Sequence, residues 1–526
     1  MAEKGANRED DGPATPFLRG GGCGEERLGI DEMLRRHAGE FGRWQLRHFV
    51  LTSTAWALEA FHTMVMIFAD REPAWRCAAG LAGDACRLAV AGGGSGGVCG
   101  LAAGSWEWVG GRGASTVAEW GLVCGERYKV GLVQSGFFAG CMIGAGVFGH
   151  LSDSFLGRKG ALTAVCALNA VFGFLTALSP DFWVYALLRL LTGFSTGGVG
   201  LCAFILATEP VGPTKRGIAG MSTFYFFSGG IAILSGVAYL FPSWRALYVV
   251  TSLPSILFLA AVVPSVSESP RWYLVRRKVT EAMDIMREIA RSNRRSVPDG
   301  VSLALDDDNG GTGEETTDVE AAPSGTLVDV VRSPVTRLRL VLTVLINFLC
   351  SVVYYGLSLN VVNLRTNLYV SVLLNAVAEM PAFMLTAVLL DRLGRRPLGV
   401  STMWLSGGFC VVGSLLRGVG AAKVVRMVCG VLGIFGMAAT YNLLFIYTAE
   451  LFPTVVRSAA LGCATQAGQM GAILAPLVVV MGETVPFAVF GACGAAGGLL
   501  AFYLPETMNK PLYDTMAGIE GGEGKV

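Results

Sequence analysis

The chain is poor in charge and in histidine. Only 15% of its 526 residues are Asp, Glu, Lys or Arg, and four are His. It has no Gly-rich nucleotide loop, no metal-ligand spacing and no nucleophile motif. An enzyme or an ATP-driven pump is therefore not expected, and neither is a cofactor or a bound metal. No Asn-x-Ser/Thr sequon occurs, so an N-glycosylated external loop is not expected either. The first forty residues are charged and Gly-rich and lack an apolar core. A cleaved signal peptide is thus not expected, and the first apolar segment would serve as an uncleaved one. The 41 basic and 40 acidic residues nearly cancel, to a formal +1, and nothing in that balance points to nucleic acid.

What the chain has in abundance is apolar sequence, 52% of all residues, gathered into long runs. Such runs partition into lipid. About twelve have the length that crosses a bilayer, roughly 20 residues. Their expected extents are 46–69, 130–150, 161–178, 182–208, 218–240, 244–264, 337–359, 368–390, 397–417, 422–448, 457–481 and 484–504. The expected fold class is an all-α membrane protein, with about twelve transmembrane helices in two six-helix halves.

Basic residues set the orientation. Arg158 and Lys159, Lys215 and Arg216, the stretch 271–295, the stretch 392–396 and Arg457 fall in alternate loops. By the positive-inside rule those loops and both termini are cytoplasmic. The loop 70–129 is then external. It contains Arg71, Arg76, Arg87 and Arg112, but long translocated loops obey the rule weakly. Cys77, Cys86, Cys99 and Cys124 all lie in it. An even number of cysteines in one external loop suggests two disulfides, with three possible connectivities; reduced thiols are the alternative.

The expected organisation has five parts. Residues 1–45 form a cytoplasmic segment ending in an amphipathic helix over 30–46. Residues 46–264 form the first half, including the external loop. Residues 265–336 form a cytoplasmic loop and linker, basic over 271–295 and acidic over 305–323. Residues 337–504 form the second half, and 505–526 a cytoplasmic tail.

Three short polar motifs occur once in each half, in the same order. Asp153, Gly157, Arg158 and Lys159 are echoed by Asp391, Gly394, Arg395 and Arg396. Arg189 with Gly193 is echoed by Arg426 with Gly430. Glu209 and Arg216 are echoed by Glu450 and Arg457, seven residues apart in both copies. Repetition in register implies a duplicated membrane unit, the plan of many secondary transporters. The Asp and the basic residues both oppose the helix dipole, so an inter-helix ion pair is the expected reason for them. The Glu–Arg pairs are expected to lock neighbouring helix ends, and the lock must open if the halves rock. A permanent structural staple is the competing account of all these charges.

Together these motifs resemble the major facilitator superfamily. The pentad Glu268-Ser269-Pro270-Arg271-Trp272 and Pro505-Glu506-Thr507 narrow the resemblance to its organic ion transporters and sugar porters. Sugar porters carry a paired glutamine in the seventh span, and 342–359 has none. The Cys-bearing loop and the stretch Glu450-Leu451-Phe452-Pro453-Thr454-Val455-Val456-Arg457 resemble the organic cation/anion/carnitine transporter family, and 68–75 and 119–124 its plant branch. The first copy of the loop motif has one residue more between Asp and Gly than the second.

The resemblance implies a monomeric secondary carrier with its substrate near mid-membrane, between the halves. The substrate class implied is small organic cations or zwitterions such as carnitine, choline or polyamines, with protons or sodium as possible coupling ions. The plasma membrane is the first expectation and the vacuolar membrane the second. Ionisable residues at mid-membrane are costly, so Glu59 and Glu379 are substrate candidates by default. The family's charge-selecting position, twelve residues after Arg457, is here the neutral Gln469. That leaves a carrier of neutral or anionic solutes as the alternative. Aromatic faces hold quaternary ammonium groups at about 0.5–2 kcal/mol each. Tyr355, Tyr441 and Phe224 are the aromatic candidates, and lipid contact or packing is the competing account of each. His62, one turn from Glu59, is placed to hydrogen-bond it.

Overall fold

The structure, a computed structural model, describes residues 26–78, 98–102, 104–304, 327–364, 366–416 and 421–508. Among them, twelve helices are long and apolar enough to cross a membrane. In chain order these spans are Arg43–Ala69, Cys124–Asp153, Gly157–Thr176, Phe182–Thr208, Pro213–Leu240, Trp244–Ser265, Pro334–Leu364, Leu368–Leu390, Arg395–Leu415, Ala421–Leu451, Ala459–Val479 and Val485–Phe502. They match the expected segments one for one. Several extend further than hydropathy suggested, because polar caps and prolines rather than apolar content set the helix ends. The fourth span keeps its expected bounds, starting where the Asp181 carboxylate accepts the N–H groups of Trp183 and Val184. Pro213 and Pro334 open the fifth and seventh, where a missing N–H costs nothing.

Small residues set how closely the spans approach. Gly140 and Gly144 of the second span and Gly193 and Gly197 of the fourth face one another at four-residue spacing. A Cβ on any of them would run into the facing backbone. Membrane helices associate through such contacts, because lipid offers no hydrophobic drive between them. Gly144→Val is therefore expected to lower stability by at least the roughly 1–3 kcal/mol typical of overpacking. Gly146→Val on the same helix, where a Cβ meets nothing, should be near neutral. Thermal unfolding of the purified variants checks the contrast.

The halves meet along two seams, the second span against the eleventh and the fifth against the eighth. Among the described residues, five side-chain hydrogen bonds cross between them. Near the face expected to be external, Arg71 donates to the Tyr369 hydroxyl and Arg127 to Asn363 at 3.2 Å. Ser235 donates to the Tyr369 carbonyl and Ser135 to the Ile473 carbonyl, both at 2.7 Å. Ser228 donates to Glu379 deeper down.

On the side expected to be cytoplasmic, the segment before the first span and the linker after the sixth fold together. Strand Glu26–Leu28 pairs in parallel with Val301–Leu303. Ile30, Met33 and Leu34 pack on Met283, Met286 and Ile289 of the helix Val279–Ser292. The amphipathic helix expected over 30–46 ends at Ala38, because Gly39 at φ 90° turns the chain before the first span starts at Arg43, and its apolar face is covered by protein. Asn293 ties the two parts, donating to the Ala38 carbonyl at 2.9 Å and to Gln45 at 2.8 Å. The acidic stretch 305–323 lies outside the described residues.

Candidate functional site

Glu379 stands about 16 Å below the external end of the eighth span, eleven residues along the helix. Its side chain is 1% exposed. One carboxylate oxygen accepts the Tyr354 hydroxyl at 3.0 Å and the other accepts the Ser228 hydroxyl. Ser228 belongs to the first half and Tyr354 to the second, so the acid sits where the halves meet. Pro381, inside the same helix, supplies no N–H and leaves the Val377 carbonyl without its helical partner. Among the described residues no basic side chain pairs with Glu379. A carboxylate in low dielectric without a countercharge must carry a proton or meet a cation.

Aromatic rings surround this acid. Tyr354 stacks on Tyr441 with centroids 5.3 Å apart and meets Tyr355 at 5.2 Å. Tyr355 meets Phe138 of the first half at 4.9 Å. Phe224 lies 5.3 Å from Trp56, 6.0 Å from Phe383 and 6.3 Å from Tyr441. The rings thus form one connected set from six spans of both halves. Toward the cytoplasm, Phe204 and Phe445 close together across the halves at 5.4 Å.

The other expected members are placed as follows. Glu59 is half-buried against Gly200 of the fourth span, with one oxygen buried and unbonded among the described residues. It lies within electrostatic reach of Tyr355 and Tyr441. The expected His62–Glu59 hydrogen bond does not form. His62 turns the other way, toward Gly173 and Ser252, because one helical turn does not align two side chains that pack against different neighbours. Gln469 is half-buried on the eleventh span, one turn below Ile473 on the seam facing the second span.

The charged motifs form two copies of one network, though not with the expected partners. Glu209 pairs with Arg158 at 3.2 Å, and Asp153 pairs with the same guanidinium. Glu450 accepts from Nε and Nη2 of Arg395, both at 2.8 Å. The expected Glu209–Arg216 lock is absent, because Arg216 reaches Asp31 at 2.7 Å, and Arg271 binds that carboxylate too. Glu450 likewise bonds Arg395 and Thr507, where the sequence suggested Arg457, which stands half-buried at the start of its helix. The side chain of Asp391 lies outside the described residues. Arg189 and Arg426 sit near the external ends of their spans, so Arg189 is about 30 Å along the helix from Glu209. Arg189 donates to the His62 carbonyl at 2.8 Å and lies over Phe137 at 4.4 Å. Arg426 lies over Phe487 at 5.0 Å and 3.7 Å from Glu483.

Two acids that the sequence reading used only as family signatures, Glu268 and Glu506, complete the two copies, one in each. Glu268 accepts the N–H groups of Arg158 and Lys159 at 3.0 and 3.1 Å. Glu506 accepts those of Arg395 and Arg396 at 2.9 Å. Each carboxylate caps a helix whose first residues are basic, and so offsets the adverse dipole. Gly157 at φ 75° and Gly394 at φ 88° make this possible, since a Cβ at either would collide with the capping carboxylate. The extra residue of the first loop does not disturb the equivalence. Burial pushes the Glu268 carboxyl up against the bonds from Ser269, Lys159 and Arg158. At Glu506 burial acts the same way but is outweighed by four backbone N–H groups, which hold it below the usual carboxylate range. The signal was present in the sequence: Glu268 and Glu506 follow Arg158 and Arg395 by 110 and 111 residues. Ser228, Trp56 and Phe138 were passed over, and nothing in local sequence distinguishes them from packing residues.

In the external loop, Cys99 and Cys124 form a disulfide. Cys77 is disulfide-bonded as well, and Cys86 lies outside the described residues. Of the three connectivities, the pairing of Cys99 with Cys124 leaves one.

Comparisons with known proteins agree with this architecture. A family model described as "Sugar (and other) transporter" matches residues 112–517. "Organic cation/carnitine transporter 4" of Arabidopsis thaliana is 67% identical over 95% of this chain and 93% of its own length. "Organic cation/carnitine transporter 2" of the same plant is 34% identical over 96% of both chains. "Organic cation transporter protein" of Drosophila melanogaster is 34% identical over 78% of this chain and 74% of its own. Among solved structures, the inward-open xylose transporter XylE of E. coli superposes with a TM-score of 0.61 at 16% identity, covering 89% of this chain and 98% of that one. At that identity it speaks for the fold alone.

Proposed function

Since the chain belongs to the sugar (and other) transporter family, in its organic cation/carnitine transporter branch, we propose that it is a secondary carrier of small organic cations or zwitterions. Carnitine-, choline- and polyamine-like solutes are its substrate class. The observation that carries this reading is Glu379, a buried acid with no basic partner among the described residues, set among aromatic rings from both halves. Desolvated aromatic faces and one carboxylate bind an ammonium group and offer an anion nothing. Tyr441, Tyr355 and Phe224 supply the faces, Glu59 a second acid at the rim, and Gln469 a neutral hydrogen-bonding group.

The mechanism is alternating access. The external hydrogen bonds between the halves break to admit substrate, while the Arg158–Glu209 and Arg395–Glu450 networks hold the cytoplasmic ends of each half together as rigid units. Proton and cation exclude each other on Glu379, which makes proton exchange the natural coupling. No catalytic step is proposed. The monomer is the working unit, and the plasma membrane its location, with the vacuolar membrane the alternative. Gln469 favours a second reading, a carrier of neutral solutes. Uptake of labelled choline, carnitine and a neutral sugar into proteoliposomes, with and without a proton gradient, decides between them. Saturable uptake of choline or carnitine is expected; uptake of the sugar alone would overturn the first reading.

A further inference from the structure

A cavity of about 650 Å³ opens between the halves at the external face, well above Glu379. Its volume is in the range of small-molecule pockets. Its first-half wall carries Asp70, Glu72 and Trp75 together with Arg71 and Arg127, which are engaged by Tyr369 and Asn363, and its second-half wall carries Lys423 and Glu483. Asp70 is fully engaged, accepting from Tyr185 at 2.7 Å, Thr116 at 2.8 Å and Gln134 at 3.4 Å. It therefore serves to hold the first-half wall in place and is not available to a ligand. Glu72 is exposed and Trp75 half-buried beside it. Lys423 is half-buried across the gap, with no carboxylate within ion-pair distance among the described residues. An ammonium acceptor and an aromatic face thus confront an available ammonium donor across a gap that a small solute fills.

We propose that this cavity is a second binding site, an external antechamber selective for zwitterions that carry both a quaternary ammonium and a carboxylate. The ammonium lies against Glu72 and Trp75, and the carboxylate pairs with Lys423. A simple cation lacks the second anchor and passes this site without binding. The inference rests on the cation/zwitterion reading above, but uses none of the residues of the Glu379 site.

Equilibrium binding of labelled carnitine and labelled choline to the purified full-length chain tests it. Wild type should bind two equivalents of carnitine and one of choline. Lys423→Glu should weaken one carnitine component roughly tenfold or more while leaving choline affinity unchanged, which also reports an intact fold. Glu379→Gln should remove the choline component and retain the Lys423-dependent carnitine component. One equivalent of carnitine in wild type, or two components insensitive to Lys423→Glu, overturns the antechamber. Choline binding that survives Glu379→Gln overturns the central-site reading instead, so the two failures are distinguishable.

Discussion

Glu379→Gln is expected to reduce choline and carnitine uptake roughly a hundredfold, with thermal stability close to that of wild type. The large effect follows from desolvation. A cation drawn from water into an aromatic-lined space needs a countercharge there, and removing one member of a buried charge pair costs about 2–5 kcal/mol. The small effect on stability follows from shape. A glutamine amide still accepts from Tyr354, 3.0 Å away, and still meets Ser228, so the hydrogen bonds that join the halves persist. Initial uptake rates and an unfolding curve on the same preparation separate the two. Uptake within threefold of wild type, in a protein that unfolds normally, would remove Glu379 from the substrate path.

Joining Ser135→Cys to Ile473→Cys by oxidation is expected to stop transport almost completely. The Ser135 hydroxyl reaches the Ile473 carbonyl at 2.7 Å, so the two backbones approach closely where the second and eleventh spans meet near the external face. A disulfide, or a short bifunctional thiol reagent, then ties the two spans together. If the halves must part at that face to admit substrate, a covalent tie holds the carrier shut. The single-cysteine variants, oxidised in the same way, should keep their activity. The expected loss is at least about tenfold, since only unlinked molecules contribute. A fully cross-linked protein that transports at the wild-type rate would contradict external opening at this seam.

The spans were legible because lipid imposes one requirement on every helix, a continuous apolar run of sufficient length. The duplicated plan was legible because its charges repeat in order. Which charge meets which was not. Glu209 and Arg216 are close in sequence, yet Arg216 is drawn to Asp31, 185 residues away. That partner lies on a segment that folds against the linker, and no local pattern announces the contact. The rotation of each span about its axis was equally hidden. Tyr354, rather than the neighbouring Tyr355, reaches Glu379. Adjacent residues on a helix point about 100° apart, and a span apolar all round gives no moment to choose between them. The depth and burial of Glu379 were legible from sequence alone, because an ionisable group stands out in an apolar span.

The most direct test of the central claim is a competition measurement on the purified carrier in proteoliposomes. Labelled choline uptake is followed while unlabelled choline, or its neutral isostere with carbon in place of the ammonium nitrogen, is added. The two competitors match in size and shape, so aromatic contact and volume are held constant and only charge differs. The account predicts that choline competes and the isostere fails to, even at about a hundredfold higher concentration, and that this discrimination disappears in Glu379→Gln. Equal competition by the neutral isostere in wild type would contradict it, because the site would then read shape and not charge.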